Sequence, residues 1–143
     1  MTATAGATTY DAVTIGDRLP AVVIPLTRTL IVATALATRD FQDVHHDPAL
    51  AVERGSKDVF MNILTTNGLV GRFVTDWAGP HASLRRIAVR LGAPNHPGDA
   101  MALTGEVIAK DDGLVTVKIR GANSLGDHAT GTVVVAWPAR GDL

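Results

Sequence analysis

The sequence predicts an α+β fold in which an antiparallel β-sheet packs around one long helix. Three observations carry this. The stretch from Asp58 to Trp77 has helical apolar spacing, four later segments have strand character, and Asp112-Gly113 between two of them is a strong hairpin signal. The order along the chain is one strand, helices, then four meandering strands, which is the order of an α+β domain.

Ile24 to Ala37 mixes β-branched residues with Leu and Ala, and a strand is expected within Thr29 to Ala35, turning at Thr38, which is placed to cap the next segment. Asp47-Pro48 reads as a helix start, with Asp at the cap and Pro at the first helical position, and Gly55 stops that short helix after Arg54. In the long helix Phe60, Ile63, Leu64, Asn67, Val70, Gly71 and Val74 share one side. Met61, Leu69 and Phe73 lie on the other, so burial on most sides is expected. Gly68 and Gly71 each cost about 1 kcal/mol of helix propensity relative to Ala. Their expected use is close approach of a sheet or a partner helix. Gly79-Pro80 ends the element. Ile87, Val89 and Leu91 alternate with Arg86, Ala88 and Arg90. Met101 to Ala109, Leu114 to Arg120 and Thr130 to Trp137 complete the strands. Val133-Val134-Val135 suggests a strand buried on both faces.

A chain of 143 residues suits one domain, here 21–143, preceded by a small, polar segment over 1–20 expected to be poorly ordered. Net charge is −1 and no basic run is present, which argues against nucleic acid as the main partner. The absence of cysteine excludes disulfides and thiolate chemistry and fits a cytoplasmic protein. No apolar run approaches the ~20 residues needed to span a membrane, and the first residues lack the features of a secretory signal.

The chemistry-bearing stretch is Arg39 to Pro48, with three carboxylates and two imidazoles within ten residues. Carboxylate and imidazole both move protons near neutral pH when held within hydrogen-bond reach. Asp40 and His45 are five residues apart, more than one helical turn, so they converge only if a turn lies between them. Three readings are open. The two form an acid/base pair, or the cluster is structural with Asp43 and Asp47 as helix caps, or Asp43, His45, His46 and Asp47 bind a metal. Adjacent histidines rarely point the same way, which weighs against the metal, and none is expected.

Asp40 to His45 resembles the Asp-x-Asn-Pro-x-His signature of the MaoC-like hydratases, also called hydratase 2. The resemblance implies a hot-dog fold, with the sheet wrapped around the central helix, and makes Asp40 and His45 the catalytic pair. Gln42-Asp43 stands where that family has Asn-Pro, and Asn62-Ile63 where it has His-Gly. The runs ALATRDFQDVHHD, GSKDVFMNIL, VTDWAGP and SLGDH are further similar, roughly from Thr29 to Trp137, to the small MaoC-like subunits of heteromeric steroid side-chain enoyl-CoA hydratases of cholesterol-degrading actinobacteria. This implies a lyase that adds water to a steroid enoyl-CoA to give a 17-hydroxy steroid acyl-CoA, with no cofactor beyond the CoA of the substrate. It also implies a larger MaoC-like partner carrying a DUF35-type domain, assembly as a heterotetramer, and association with a thiolase-like aldolase. The alternatives are a hot-dog acyl-CoA thioesterase and a non-catalytic scaffold subunit of a hydratase/aldolase complex.

By alignment with that family the backbone N–H of Ile63 is the candidate oxyanion donor, the other reading being a plain core residue. Asn62 and Asn67 either face the substrate or cap and pack. Arg85, Arg86 and Arg90 either meet CoA phosphates or form a solvated strand face, and Arg86 is the one carried forward as a substrate contact. His81, His96 and His128 sit near turns and read as surface residues. Trp77 and Trp137 read as core or interface.

Overall fold

The computed structural model describes residues 8–138. Its sheet has five antiparallel strands: β1 (Arg18–Pro25), β2 (Ser83–Leu91), β3 (Ala100–Asp111), β4 (Leu114–Asn123) and β5 (Gly126–Ala136), in the spatial order β1-β3-β4-β5-β2. Three helices precede β2: α1 (Arg28–Ala37), α2 (Pro48–Glu53) and α3 (Ile63–Ala78). Single 3-10 turns lie at Tyr10–Ala12 and Asp43–His45.

Strict alternation along β3 and β4 puts Met101, Leu103, Val107, Val115, Val117 and Ile119 on one face of the sheet, all buried. That face closes on Val70, Phe73, Val74 and Ala78 of α3. Two glycines let helix and sheet approach. A Cβ on Gly71 would lie 3.0 Å from the Ile87 side chain, and one on Gly105 would lie 3.1 Å from the Phe73 ring. Gly68 instead faces open space, so only Gly71 meets the expectation drawn for the two helix glycines. Val133 and Val135 of β5 are fully buried and Val134 between them is half-buried. Among the described residues no helix is long and apolar enough to cross a membrane.

Several expectations are corrected. Thr29 to Ala35 is not a strand but the body of α1. The Thr27 hydroxyl caps this helix by accepting the Leu30 N–H at 3.0 Å, and Ile31 and Ala35, one turn apart, are its buried face. Ile31 and Val32 weaken helix propensity by only about 0.5 kcal/mol each, less than the burial of that face returns. Thr38 ends α1 rather than starting the next segment. Helix α3 begins at Ile63, not Asp58, and the two apolar residues that open it are not buried: Ile63 and Leu64 are 47% and 46% exposed. Residues 8–20 are folded. The Trp137 indole N–H donates to the Thr8 carbonyl at 3.0 Å, the Thr8 hydroxyl donates to the Trp77 carbonyl, and Tyr10 packs on Trp137. Residues 1–7 of that expected segment lie outside the described residues. Strand β1 was unexpected because it contains Pro20 and Pro25. It tolerates them as an edge strand with a bulge between Leu19 and Val22. Trp137 is core, and Trp77 meets it edge to face.

His96 and His128 are not surface residues but buried ones, 8% and 2% exposed. Burial pushes the His128 imidazole below its ordinary 6.5, against a smaller opposing pull from the Ala93 carbonyl. The unfolded chain therefore takes up a proton near 6.5 that the folded chain refuses until lower pH. The stability contributed by neutral His128 is complete above that value and declines as pH falls below it. Denaturant melts between about pH 8 and pH 5 should show this decline, with a shallower slope in His128→Gln. Equal slopes in the two proteins would contradict it.

Candidate active site

The site is built where α1 ends and α3 begins. Helix α1 closes in a Schellman motif: the Arg39 N–H donates to the Leu36 carbonyl at 3.0 Å and the Asp40 N–H to the Ala35 carbonyl at 2.9 Å. The motif needs a left-handed residue after the cap, and Arg39 supplies it with φ of 58° in place of the usual glycine. Asp40 is the next residue, so the helix end fixes where its carboxylate points.

The chain then folds back through the 3-10 turn Asp43–His45. Arg54, the C-cap of α2, holds this turn by pairing with Asp43 through Nε and Nη2, both at 2.7 Å. The guanidinium lowers the Asp43 carboxyl below its usual range. Asp47 caps α2 by accepting the Leu50 N–H at 3.1 Å. Both carboxylates are thus engaged away from His45. Among the described residues no group of three or more His, Cys, Asp or Glu is placed to hold a metal ion. The Nδ1 of His46 is buried without a partner.

The turn brings His45 back to Asp40, with Nε2 3.4 Å from Oδ2. His45 Nδ1 lies 2.7 Å from the Phe60 carbonyl, an acceptor only, so Nδ1 carries a proton and in the neutral ring Nε2 presents its lone pair to the carboxylate. Two acceptors face each other across a gap too long for a strong direct hydrogen bond. A water there can donate one hydrogen to each, leaving its oxygen lone pair free.

The segment that holds His45 is itself fixed. The Phe60 N–H donates to the Val44 carbonyl, the Met61 N–H to the Asn95 carbonyl, and His96 Nδ1 bonds the Val59 carbonyl at 3.0 Å. The Phe60 ring meets His45 edge to face at 4.9 Å. Arg28 clamps Asp58 with two bonds and holds its carboxyl down at about 2.

Asn62 joins the two helices. It is 2% exposed and is the N-cap of α3, where its Oδ1 accepts the Thr65 N–H at 3.0 Å. Its Nδ2 donates to Asp40 Oδ2 at 3.1 Å and to the Thr38 hydroxyl at 3.0 Å. Asn62 thus caps, and through its other end holds the carboxylate. Its own carbonyl accepts the Thr66 N–H. The N–H groups of Ile63 and Leu64 remain open at the positive end of the helix, among the described residues. The exposed Ile63 side chain excludes the plain-core reading.

Of the sequence-derived candidates, the structure brings Asp40, His45, Asn62 and the Ile63 backbone together. Asn67 does not join them. It lies further along α3, half-buried, with Oδ1 buried and unpartnered. Arg86 is exposed on the edge strand β2, where it pairs in register with Val134 of β5. Sequence reasoning missed three contributors: Arg39, the Phe60 carbonyl and the Thr38 hydroxyl. None of the three carries a signal in residue type or spacing.

No family model matches the chain. It is 57% identical over 119 residues to the 3-oxo-4,17-pregnadiene-20-carboxyl-CoA hydratase beta subunit of Mycobacterium tuberculosis, covering 83% of this chain and 92% of that one. Among solved structures it is similar to a chain of the ChsH1-ChsH2 complex from Mycobacterium tuberculosis, with a TM-score of 0.86 and 54% identity over 87% of this chain and 98% of that chain. A protein described as a MaoC-like dehydratase matches with a TM-score of 0.81 and 26% identity, over 93% of this chain and 43% of its own. The sheet wrapped on α3 is the hot-dog fold of these neighbours.

The two ends of Asn62 are separable. Asn62→Ala removes both and is expected to destabilise the fold by about 1–2 kcal/mol. Asn62→Ser keeps a capping oxygen and loses only the amide donor, so it should recover most of that loss. Thermal melts of the two variants decide the matter, and equal loss in both would mean that the cap contributes little.

Proposed function

We propose that this chain, which belongs to the MaoC-like hydratase family, is the water-activating subunit of an enoyl-CoA hydratase acting on a steroid side chain. The observation that carries the reading is the opposition of the His45 Nε2 lone pair and Asp40 Oδ2 at 3.4 Å, with the imidazole tautomer set by the Phe60 carbonyl.

Hydration of an enoyl thioester adds a water oxygen to the β-carbon and a proton to the α-carbon. The attacking oxygen must lose a proton as its lone pair forms the new C–O bond. The π-electrons move through the α-carbon to the thioester oxygen, and collapse of that enolate takes a proton back at the α-carbon. A carboxylate and a neutral imidazole sharing one water can hold the first proton and return one, and the close pair acts as a unit. The enolate oxygen needs preorganised donors, and the open N–H of Ile63 at the start of α3 lies one residue from the Asn62 amide that holds Asp40. No cofactor is needed beyond the CoA that the substrate carries, and a soluble CoA thioester suits a cytoplasmic location.

The Mycobacterium tuberculosis relative carries 3-oxo-4,17-pregnadiene-20-carboxyl-CoA in its name as a hydratase subunit, and we assign that substrate class here. Phe41, Ile63 and Leu64 are sequence neighbours of Asp40 and Asn62 and are 67%, 47% and 46% exposed, apolar surface suited to a flat steroid. Arg86 and Asn67 remain candidates for the CoA moiety and the pocket wall. The reading includes a hetero-oligomer, as in the ChsH1-ChsH2 complex. The proposed partner is a larger MaoC-like subunit with a DUF35-type domain, doubled into a heterotetramer and associated with a thiolase-like aldolase. The edge strand β2, with Leu84 and Leu91 exposed, is the surface we assign to it.

Asp40→Asn and His45→Ala are each expected to lower hydration of the steroid enoyl-CoA by about 10²–10⁴-fold, the usual cost of losing a general acid or base. His46→Ala, whose ring is not at the pair, should stay within about threefold of wild type. The assay follows loss of enoyl absorbance, using the chain co-expressed with the larger subunit. Near-wild-type rates in either Asp40→Asn or His45→Ala would overturn the assignment.

A further inference from the structure

We propose that His128 and Thr66 form a positioning couple that fixes the first turn of α3, and through it the hydration site, although neither contacts Asp40 or His45. The inference rests on the reading of Asp40 and His45 as the catalytic pair.

His128 Nδ1 lies 2.7 Å from the Ala93 carbonyl. A carbonyl only accepts, so Nδ1 carries the proton and Nε2 is bare. Nε2 lies 2.8 Å from Thr66 Oγ1, so the hydroxyl must donate to it. The imidazole is held rigidly for this task. The Gly92 N–H bonds the His128 carbonyl and the Ala93 N–H bonds the Asp127 carbonyl, each at 2.8 Å. A Cβ on Gly92 would collide with that Asp127 carbonyl.

Other helical threonines show what Thr66 forgoes. Thr34, Thr38 and Thr75 each turn their hydroxyl onto the carbonyl one turn back, at 2.6, 2.8 and 3.0 Å. Thr66 stands 3.4 Å from the corresponding Asn62 carbonyl and points its proton across to β5 instead. The Asn62 carbonyl is then held by the Thr66 N–H at 3.2 Å. This polar tie sits in a turn whose two apolar residues, Ile63 and Leu64, are half exposed and pack little against the core. Thr66 is fully buried, so the bond runs through the core from the sheet to the helix start. One turn back along α3 are the Asn62 amide that holds Asp40 and the open Ile63 N–H. A helix start free to shift by an ångström would misplace both.

The test uses the subunit co-expressed with its larger partner, with 3-oxo-4,17-pregnadiene-20-carboxyl-CoA as the probe. Thr66→Val keeps the shape and deletes the donor. It is expected to lower kcat by about ten- to a hundredfold with KM within about threefold, the scale of a small misplacement of reacting groups. Thr66→Ser restores the donor and should return kcat to within about threefold of wild type. If Thr66→Val does not fold, Thr66→Cys compared with Thr66→Ser isolates donor strength in a core of nearly the same volume. A lower kcat for Cys at equal melting temperature supports the couple. Wild-type kcat in Thr66→Val, or in Thr66→Cys where Val fails to fold, overturns it, as does a loss that Ser does not rescue. Asp40→Asn measured alongside separates the two levels. An active Asp40→Asn sinks the catalytic reading itself. An inactive Asp40→Asn beside a fully active Thr66→Val sinks only the positioning role.

Discussion

The structure turns on one buried amide. Asn62 has a donor end and an acceptor end, and each is placed where a charge or partial charge would otherwise go unanswered. Its oxygen meets the Thr65 N–H in the first turn of α3, and its nitrogen meets the carboxylate just beyond the end of α1. An ionised side chain facing a helix N-terminus would be stabilised there by about 0.3–1 kcal/mol. Asn62 does something different: it occupies the cap with a neutral group and passes a hydrogen bond on to Asp40. The carboxylate is thereby held through the Asn62 amide and not by the helix N–H groups, and the Ile63 and Leu64 N–H groups at the positive end of α3 stay open to a developing negative charge. A carboxylate at the cap would have competed for that field.

Around this amide the protein uses histidine as a backbone clasp. His45, His96 and His128 each point Nδ1 at a main-chain carbonyl, of Phe60, Val59 and Ala93 respectively. The same interaction fixes a tautomer in every case and leaves Nε2 as the variable end. In His45 that end faces a carboxylate, and in His128 it faces a hydroxyl. One residue type thus serves a candidate acid/base role and a core role, and the difference lies entirely in what Nε2 meets.

Much of the fold was legible in the sequence. Strands β2 to β5 could be read because alternation and the Asp112-Gly113 turn are local signals, and α3 because its apolar period is long. Two elements were not. In α1 the β-branched Ile31 and Val32 suggested a strand, while the decisive facts were a cap at Thr27 and burial of only Ile31 and Ala35. In β1 two prolines hid a strand that survives because it is an edge. At the site, Asp40 and His45 could be singled out from residue type and family resemblance, but not the means of their convergence. A left-handed arginine and a backbone carbonyl leave no trace in residue type. His96 and His128 were misread because a histidine near a turn looks solvated, and only tertiary structure shows what closes over it.

The bulge and the two prolines of β1 have a consequence beyond hiding a strand. A five-stranded open sheet has two free edges, here β1 and β2. Were both available, each copy could recruit a neighbour on either side, and the chain would polymerise into a ribbon without end. Pro20 and Pro25 carry no N–H, and the break in register between Leu19 and Val22 spoils the row of donors and acceptors. That edge makes a poor template for a further strand, and β2 is the edge without such a device. A copy joined at β2 would leave outermost an edge that resists the next one, so the two imino acids weigh against an open-ended ribbon from the side away from the joint.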